Sequence, residues 1–317
     1  MIRMTILMLA MASVVSADAP ARMAAQLQEA DGVVSVTIDG QPFTRLVYRG
    51  QAKPVLYPII GPGGVAMTRH WPMAEAAAGE EKDHPHHKSL WFTHGDVNGI
   101  DFWAEKKEAG TIVVKGRPEV AVRSDGAAVV VTSEEWLAPG GKRVCSSQTT
   151  VACGMEAGAR FIDYAITIAA TDGPVKFGDT KEGTMGLRSH PALNLKGSVA
   201  RGKCVNSEGE TGGAIWGRAA KWVDYSGEAD GKVVGIACFD HPANLRHPTT
   251  WHARDYGLIA ANPFGLSDFQ KKPKGAGDHV IPAGEKLTLS YRWLFHEGDA
   301  VAADIAGRWK QWAGGKP

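Results

Sequence analysis

The sequence is poor in cysteine, in net charge and in long apolar runs, and each shortage removes a class of protein. Four cysteines (Cys145, Cys153, Cys204, Cys238) in 317 residues are too few for a disulfide framework. Cys145 and Cys153 share one strand-like run, where ~3.3 Å per residue sets them about 26 Å apart, beyond the reach of a disulfide. Cys204 and Cys238 fall in separate strand-like runs and are the pair left open to bonding in an oxidising compartment. Lysine plus arginine (35) against aspartate plus glutamate (34) leaves a formal charge of +1. No electrostatic footprint for nucleic acid or an anionic membrane remains. There is no internal repeat, no low-complexity tract and no Pro/Ser-rich linker. No HExxH helix or closed zinc spacing is present, and GPGGVAMTRHWP (61–72) lacks the Lys-Ser/Thr helix of a phosphate loop.

The one long apolar run lies at the N-terminus. MIRMTILMLAMASVVSADAP places Arg3 before an apolar stretch, Met4 to Val15, and ends it with small residues at Val15-Ser16-Ala17. That layout predicts a signal peptide over 1–17 and a secreted or periplasmic chain over 18–317. The run is shorter than the ~20 residues of a membrane helix, and no later stretch is long and uncharged enough, so no membrane span is expected.

What is abundant is strand pattern. Apolar-alternating runs at 33–39, 43–49, 55–61, 110–116, 127–138, 142–153, 159–170, 232–240 and 285–297 are separated by Asp-Gly and Gly-Gly turns. Hydrophobic residues at 44% and ten tryptophans exclude disorder. The pattern predicts an all-β domain over 18–317, a large antiparallel two-sheet sandwich. A C-terminal helix is expected over 299–314, docking through Val301, Ile305, Trp309 and Trp312. The polar residues of interest are expected on long loops over that scaffold.

Those residues form four clusters. Arg69 ends the glycine-rich segment. The second cluster, DHPHHKSLWFTHGDVNGIDFW (83–103), holds His84, His86, His87 and His94 with Asp83, Asp96, Asn98, Asp101, Trp91 and Trp103. The third, FGDTKEGTMGLRSHPALN (177–194), carries Glu182, Arg188 and His190. The fourth, DHPANLRHPTTWHARDYGLIAANPFG (240–265), carries Asn244, Trp251, His252, Arg254, Asp255, Tyr256 and Asn262 on a path stiffened by X-Pro steps. Histidine titrates near neutrality and is the commonest metal ligand. Carboxylates and imidazoles move protons, arginines hold oxygen substituents, and flat aromatic rings suit sugar faces. His84, His86, His87, His94, Glu182, His190, His252 and Asp255 are therefore the catalytic candidates. Arg69, Trp91, Asp96, Asn98, Trp103, Arg188, Asn244, Trp251, Arg254, Tyr256 and Asn262 are the substrate-binding candidates. His84, His86 and His94 are a possible divalent-metal set. All four clusters are expected to meet in one pocket, with His86 and His252 lining the same cleft.

The stretches HPHHKSLWFTHGDVNGIDFW, EGTMGLRSHPALN, NSEGETGGAIWGRAAKWVDYSG (206–227) and PTTWHARDYGLIAANPFG resemble the PmoA-like domain of unknown function, a family of largely secreted bacterial proteins. The resemblance covers nearly the whole chain after the leader. It implies a sandwich similar to the galactose-mutarotase-like supersandwich, and carbohydrate chemistry by the family's association with sugar oxidoreductases and polysaccharide breakdown. The leading expectation is an exported enzyme that cleaves or isomerises a glycoside or oxidised sugar by His/carboxylate acid–base chemistry, as a hydrolase or lyase. A glycan-binding module without catalysis is one alternative. A copper- or iron-dependent oxygenase, which the family's methane-oxygenase label implies, is the other. A membrane-bound oxygenase subunit needs several spans, which this sequence lacks after its leader.

Overall fold

The structure, a computed structural model, describes residues 23–28 and 31–315, the former by backbone only. The expected signal peptide and its cleavage point lie outside the described residues. Five strands come first: β1 (Met23–Gln28), β2 (Val33–Ile38), β3 (Gln41–Val47), β4 (Val55–Ile59) and β5 (Leu90–His94). A long meander follows: β6 (Thr111–Val122), β7 (Ala128–Leu137), β8 (Arg143–Glu156) and β9 (Ala159–Ala169). Then come β10 (Val175–Phe177), β11 (Gly183–Arg188), β12 (Lys203–Asn206), β13 (Trp222–Ala229) and β14 (Lys232–Asp240). β15 (Trp251–Ala253), β16 (Leu258–Ala261), the short helix α1 (Leu266–Gln270), β17 (His279–Ile281), β18 (Lys286–Glu297) and the helix α2 (Ile305–Ala313) complete the chain.

Sixteen of these strands make two eight-stranded antiparallel sheets, ordered β1-β2-β3-β4-β5-β11-β16-β15 and β12-β13-β14-β18-β9-β8-β7-β6. The two strands left over, β10 and β17, pair with each other. The inner faces of the large sheets close on one core. Ring contacts between Phe43 and Phe295 and between Phe92 and Trp136, each with centroids 6.3 Å apart, join the sheets. The all-β sandwich read from the strand pattern is the fold observed.

α2 is shorter than the pattern predicts. Asp299 accepts hydrogen bonds from the amides of Val301 and Ala302, and Asp304 caps the helix by accepting from Gly307. The side-chain oxygens thus hold residues 299–304 in turns. Val301 is 88% exposed and takes no part in docking, whereas Ile305, Trp309 and Trp312 pack on Phe239 and Leu294 of the second sheet. All four cysteines are free and buried. Cys204 on β12 and Cys238 on β14 are held apart by the intervening β13, with which both strands pair. Among the described residues no helix is long and apolar enough to cross a membrane.

One carboxyl sits inside the core. On β7 the two-residue alternation points Val130, Thr132, Glu134 and Trp136 inward, and all four are buried. Glu134 accepts from the hydroxyls of Thr132 and Ser147, and Ser147 in turn accepts the indole N–H of Trp136. Burial raises the Glu134 carboxyl from its ordinary 4.5 to about 7, against the pull of those hydroxyls. A raised carboxyl stabilises the fold fully below the unfolded value and loses that contribution as pH climbs through the folded one. Stability should therefore fall by roughly 3 kcal/mol between about pH 4.5 and about pH 7 on this group's account. Urea melts of Glu134→Gln should lack that fall, and an unchanged pH slope in the variant would refute the assignment.

Candidate functional site

The four strands β5, β11, β16 and β15 lie side by side, and each is buried along its whole length. They carry Trp91, His94, Arg188, Trp251 and His252, so much of what was expected on loops is strand. Antiparallel partners share a face. The register pairs Trp91 with Gly186, Gly186 with Ala260 and Ala260 with His252, making one row across the outer face. Leu258, opposite Arg188, belongs to the same face. Phe92, Met185, Ala261 and Trp251 form the adjacent row, which turns inward to the core. Gly186 is required in the outer row because a Cβ there would come within 2.9 Å of the Trp91 ring.

Above the outer row the loops at 83–87, 101–106 and 181–182 close a cleft of about 530 Å³. His84, His86, His87, Asp101, Trp103, Lys106, Lys181, Glu182, His252, Arg254 and Tyr256 line it. His86 and His252 thus share one cleft. Trp91, His87, His84 and Tyr256 stack in a column, with centroid spacings of 5.3, 4.7 and 5.1 Å and planes within 19° of parallel. Arg188 and Arg254 lie over the Tyr256 ring at 4.6 and 5.5 Å, a cation–π arrangement.

Behind the column sits Asp83. Its Oδ1 accepts from Arg69 at 2.6 Å and from Arg188 at 2.8 Å, and its Oδ2 accepts from His84 Nδ1 at 2.7 Å. Burial works against ionising Asp83, but Arg188, His84 and Arg69 outweigh it and hold the carboxyl below its usual range. Arg69 also donates to the carbonyls of Glu81, Asp83 and His84, so it shapes the loop rather than facing the cleft. A second ion pair supports His86. Lys53, almost fully buried, donates to Glu105 at 2.5 Å and to the His86 carbonyl at 3.1 Å, and Lys88 holds the other Glu105 oxygen. Burial lowers Lys53 to about 8, and Glu105 keeps it from falling further.

The proton positions follow from these partners. A carboxylate only accepts, so His84 carries its proton on Nδ1. A carbonyl only accepts, so the bond of 2.9 Å from His252 Nδ1 to the Lys181 oxygen places that proton on Nδ1 as well. Both rings are left with a lone pair on Nε2, which makes no hydrogen bond among the described residues. A guanidinium only donates, so Arg188 on His87 Nδ1 at 3.3 Å puts the His87 proton on Nε2, which has no partner. Burial, then Lys181 and Arg254, push His252 down to about 3. Burial, then Lys53, push His86 to about 4, and burial with His86 and Arg188 pushes His87 well below 6.5. These three rings are neutral at physiological pH.

Several expected residues are elsewhere. His94 continues the inward alternation of Phe92 and is buried between Phe177 and Phe264, donating its Nε2–H to the Gly178 carbonyl. The trio His84, His86 and His94 is therefore not assembled, and no group of three or more His, Cys, Asp or Glu is placed to hold a metal among the described residues. Trp251 faces the core, its indole bound to the Ala220 carbonyl. His190 caps the turn at 191–193 by accepting from the Ala192 amide. Asp96 and Asn98 order a β-turn, accepting from the amides of Gly99 and Lys176. Asn244 joins Asp240 to the backbone of Ser290, and the Asp255 carbonyl takes the amides of Leu195 and Lys196. Asn262 holds the Thr180 carbonyl and so positions the segment bearing Lys181 and Glu182. Lys53, Lys106 and Lys181 were not among the expected residues. Only Lys181, next to Glu182, stood inside a polar cluster of the sequence.

Comparison with solved structures gives distant likenesses. The galactosidase domain of an alpha-galactosidase-sucrose kinase matches over 88% of this chain and 42% of its own, with 9% identity and a TM-score of 0.43. The chain thus spans less than half the length of that relative. The Slr1438 protein from Synechocystis sp. PCC 6803 matches over 89% of this chain and 97% of its own, with 7% identity and a TM-score of 0.19. No curated protein matches the sequence. A family of unknown function, DUF6807, matches over residues 33–310, and the chain belongs to that family.

Proposed function

We propose that the protein is an exported carbohydrate-active enzyme whose cleft cleaves or isomerises a glycoside or oxidised sugar by acid–base chemistry. The observation that carries this reading is the pair of oriented imidazoles. His84 is fixed by Asp83 and His252 by the Lys181 carbonyl, and each keeps a free Nε2 in a ring lining the same cleft. An imidazole held at one nitrogen by a carboxylate or carbonyl is the arrangement proton transfer uses, because the tautomer and ring plane are set before substrate arrives. In this reading His252 Nε2 takes a proton from the substrate. His252 returns that proton to the departing or rearranging oxygen, while the Nε2 lone pair of His84, its ring fixed by Asp83, accepts from a substrate hydroxyl and orients it. Tyr256 and Trp103 form walls, and Glu182 borders the cleft as a further acceptor. The leader-like residues 1–17 support export.

The alternatives weigh less. A glycan-binding module presents an open aromatic platform, whereas Trp91 and Trp103 are each 1% exposed. The oxygenase reading needs three convergent His or His-plus-carboxylate ligands, and no such group is assembled among the described residues. A screen of aryl glycosides, disaccharides and their keto forms, followed by product chromatography, tests the proposal. Release or isomerisation of sugar is expected. Binding without turnover across the panel would favour the module.

A further inference from the structure

The groups left unmatched in the cleft have a consistent character. His87 is 1% exposed and lines the cleft, yet its Nε2–H has no partner. Trp103, also 1% exposed and lining the cleft, has an unpartnered indole N–H. Arg254 is half-buried against Tyr256 and forms no ion pair among the described residues. The carboxylates, by contrast, are already engaged. Glu182 is paired with Lys181, and Asp101 Oδ1 accepts from the amides of Trp103 and Ala104 at 2.8 and 3.0 Å. Deeper in, each acid is outnumbered: Asp83 faces two arginines and Glu105 two lysines.

Buried donors without acceptors are costly, and native proteins keep them chiefly where a ligand or water completes them. The demand here is for acceptor atoms and negative charge. The lone pairs of His84 and His252 ask for hydroxyl donors. A ligand that meets both demands carries hydroxyls and an oxyanion together.

We propose that the cleft takes an anionic sugar, with an oxyanion substituent, carboxylate or sulfate, bound by Arg254 and by the N–H groups of His87 and Trp103. This rests on the carbohydrate reading above and narrows its substrate class. Arg254 supplies a planar fork for the oxyanion. The sugar hydroxyls face the two histidine lone pairs. The arrangement also couples binding to chemistry. Burial, then Lys181 and Arg254, lower the basicity of His252, and an anion seated on Arg254 offsets the last of these.

Calorimetry with three matched probes tests this: a neutral methyl glucoside, the corresponding methyl glucuronide, and the O-sulfated glucoside. The uronide or the sulfate is expected to bind at least about tenfold tighter than the neutral sugar, with affinity falling as salt rises. Which of the two binds more tightly identifies the oxyanion. Arg254→Gln should erase the preference, and Arg254→Lys should restore part of it. Equal or tighter binding of the neutral probe overturns the inference and leaves the carbohydrate reading standing. A preference for the anion that survives in Arg254→Gln overturns the assigned contact. Failure of all three probes to bind removes the inference and the carbohydrate reading together.

Discussion

Replacing His252 with asparagine should lower turnover by roughly two to four orders of magnitude while the fold persists. Asparagine is chosen for a geometric reason. Its amide N–H replaces the Nδ1–H that meets the Lys181 carbonyl, so the loop keeps its tie, but the lone pair on Nε2 is gone. His84→Asn makes the same excision on the other side, with the amide still facing Asp83. If the two imidazoles act in one proton relay, the double variant should be hardly worse than the weaker single one, since groups acting as a unit are not additive. Circular dichroism should match the parent, and the melting temperature should fall only modestly, by the ring packing lost against Tyr256 or Phe269. Turnover close to the parent value in His252→Asn would remove the general-base role. His252 is neutral down to about pH 3, so without a bound anion the acid limb of activity should not come from this ring near neutrality.

Asp83→Asn should cost about 3 kcal/mol of folding stability, the largest effect expected from one site-adjacent change. Arg69 and Arg188 have side chains only 3% and 2% exposed, and both rely on the same carboxylate oxygen. The amide keeps the shape but withdraws the charge, so two guanidinium groups stay buried with no counter-ion. Arg69 retains its carbonyl acceptors, which keeps the loss toward the lower end of what broken buried ion pairs show. Asp83 is held below its ordinary carboxyl value of 3.8. A depressed carboxyl stabilises the fold above the unfolded value and loses that contribution as pH falls through the folded one. The gap between parent and variant in urea melts should accordingly be widest near neutrality and close below about pH 4. A variant as stable as the parent at pH 7 would show that Arg69 is held by its carbonyl contacts and Arg188 by His87 and the Tyr256 ring.

The nine strands read from the sequence are all present, and their ends differ by a few residues at most except where β6 runs on to Val122. Some were legible from alternation, as β7 and β9 turn one face to the core and one outward, and others from long runs rich in strand-forming residues, as β14 and β18. The strands that build the site were not. β5, β11, β15 and β16 are buried on both faces, so LWFTH, GTMGLR, WHA and LIAA carry no alternation. Glycines and histidines within them read as loop. In the strand LWFTH Trp91 stands on one face and Phe92 with His94 on the other, and that second face is the core, away from the cleft that His84 and His86 line. The convergence of the histidine-rich segment with WHARDYG was legible because polar, Pro-stiffened clusters have little structural use apart from each other. Lys53 gave no signal, since its meaning depends on Glu105, which lies 52 residues away in sequence.

The row Trp91–Gly186–Ala260–His252 has a consequence for redesign. Gly186 has no room beside Trp91, and Ala260 is fully buried in one cluster with Trp91, Trp103 and Leu258. Larger side chains at either position would press on the rings that hold the histidine column, so this layer is closed to variation. Ligand fit is left to the loop residues that line the cleft, Lys106, Lys181 and Arg254 among them.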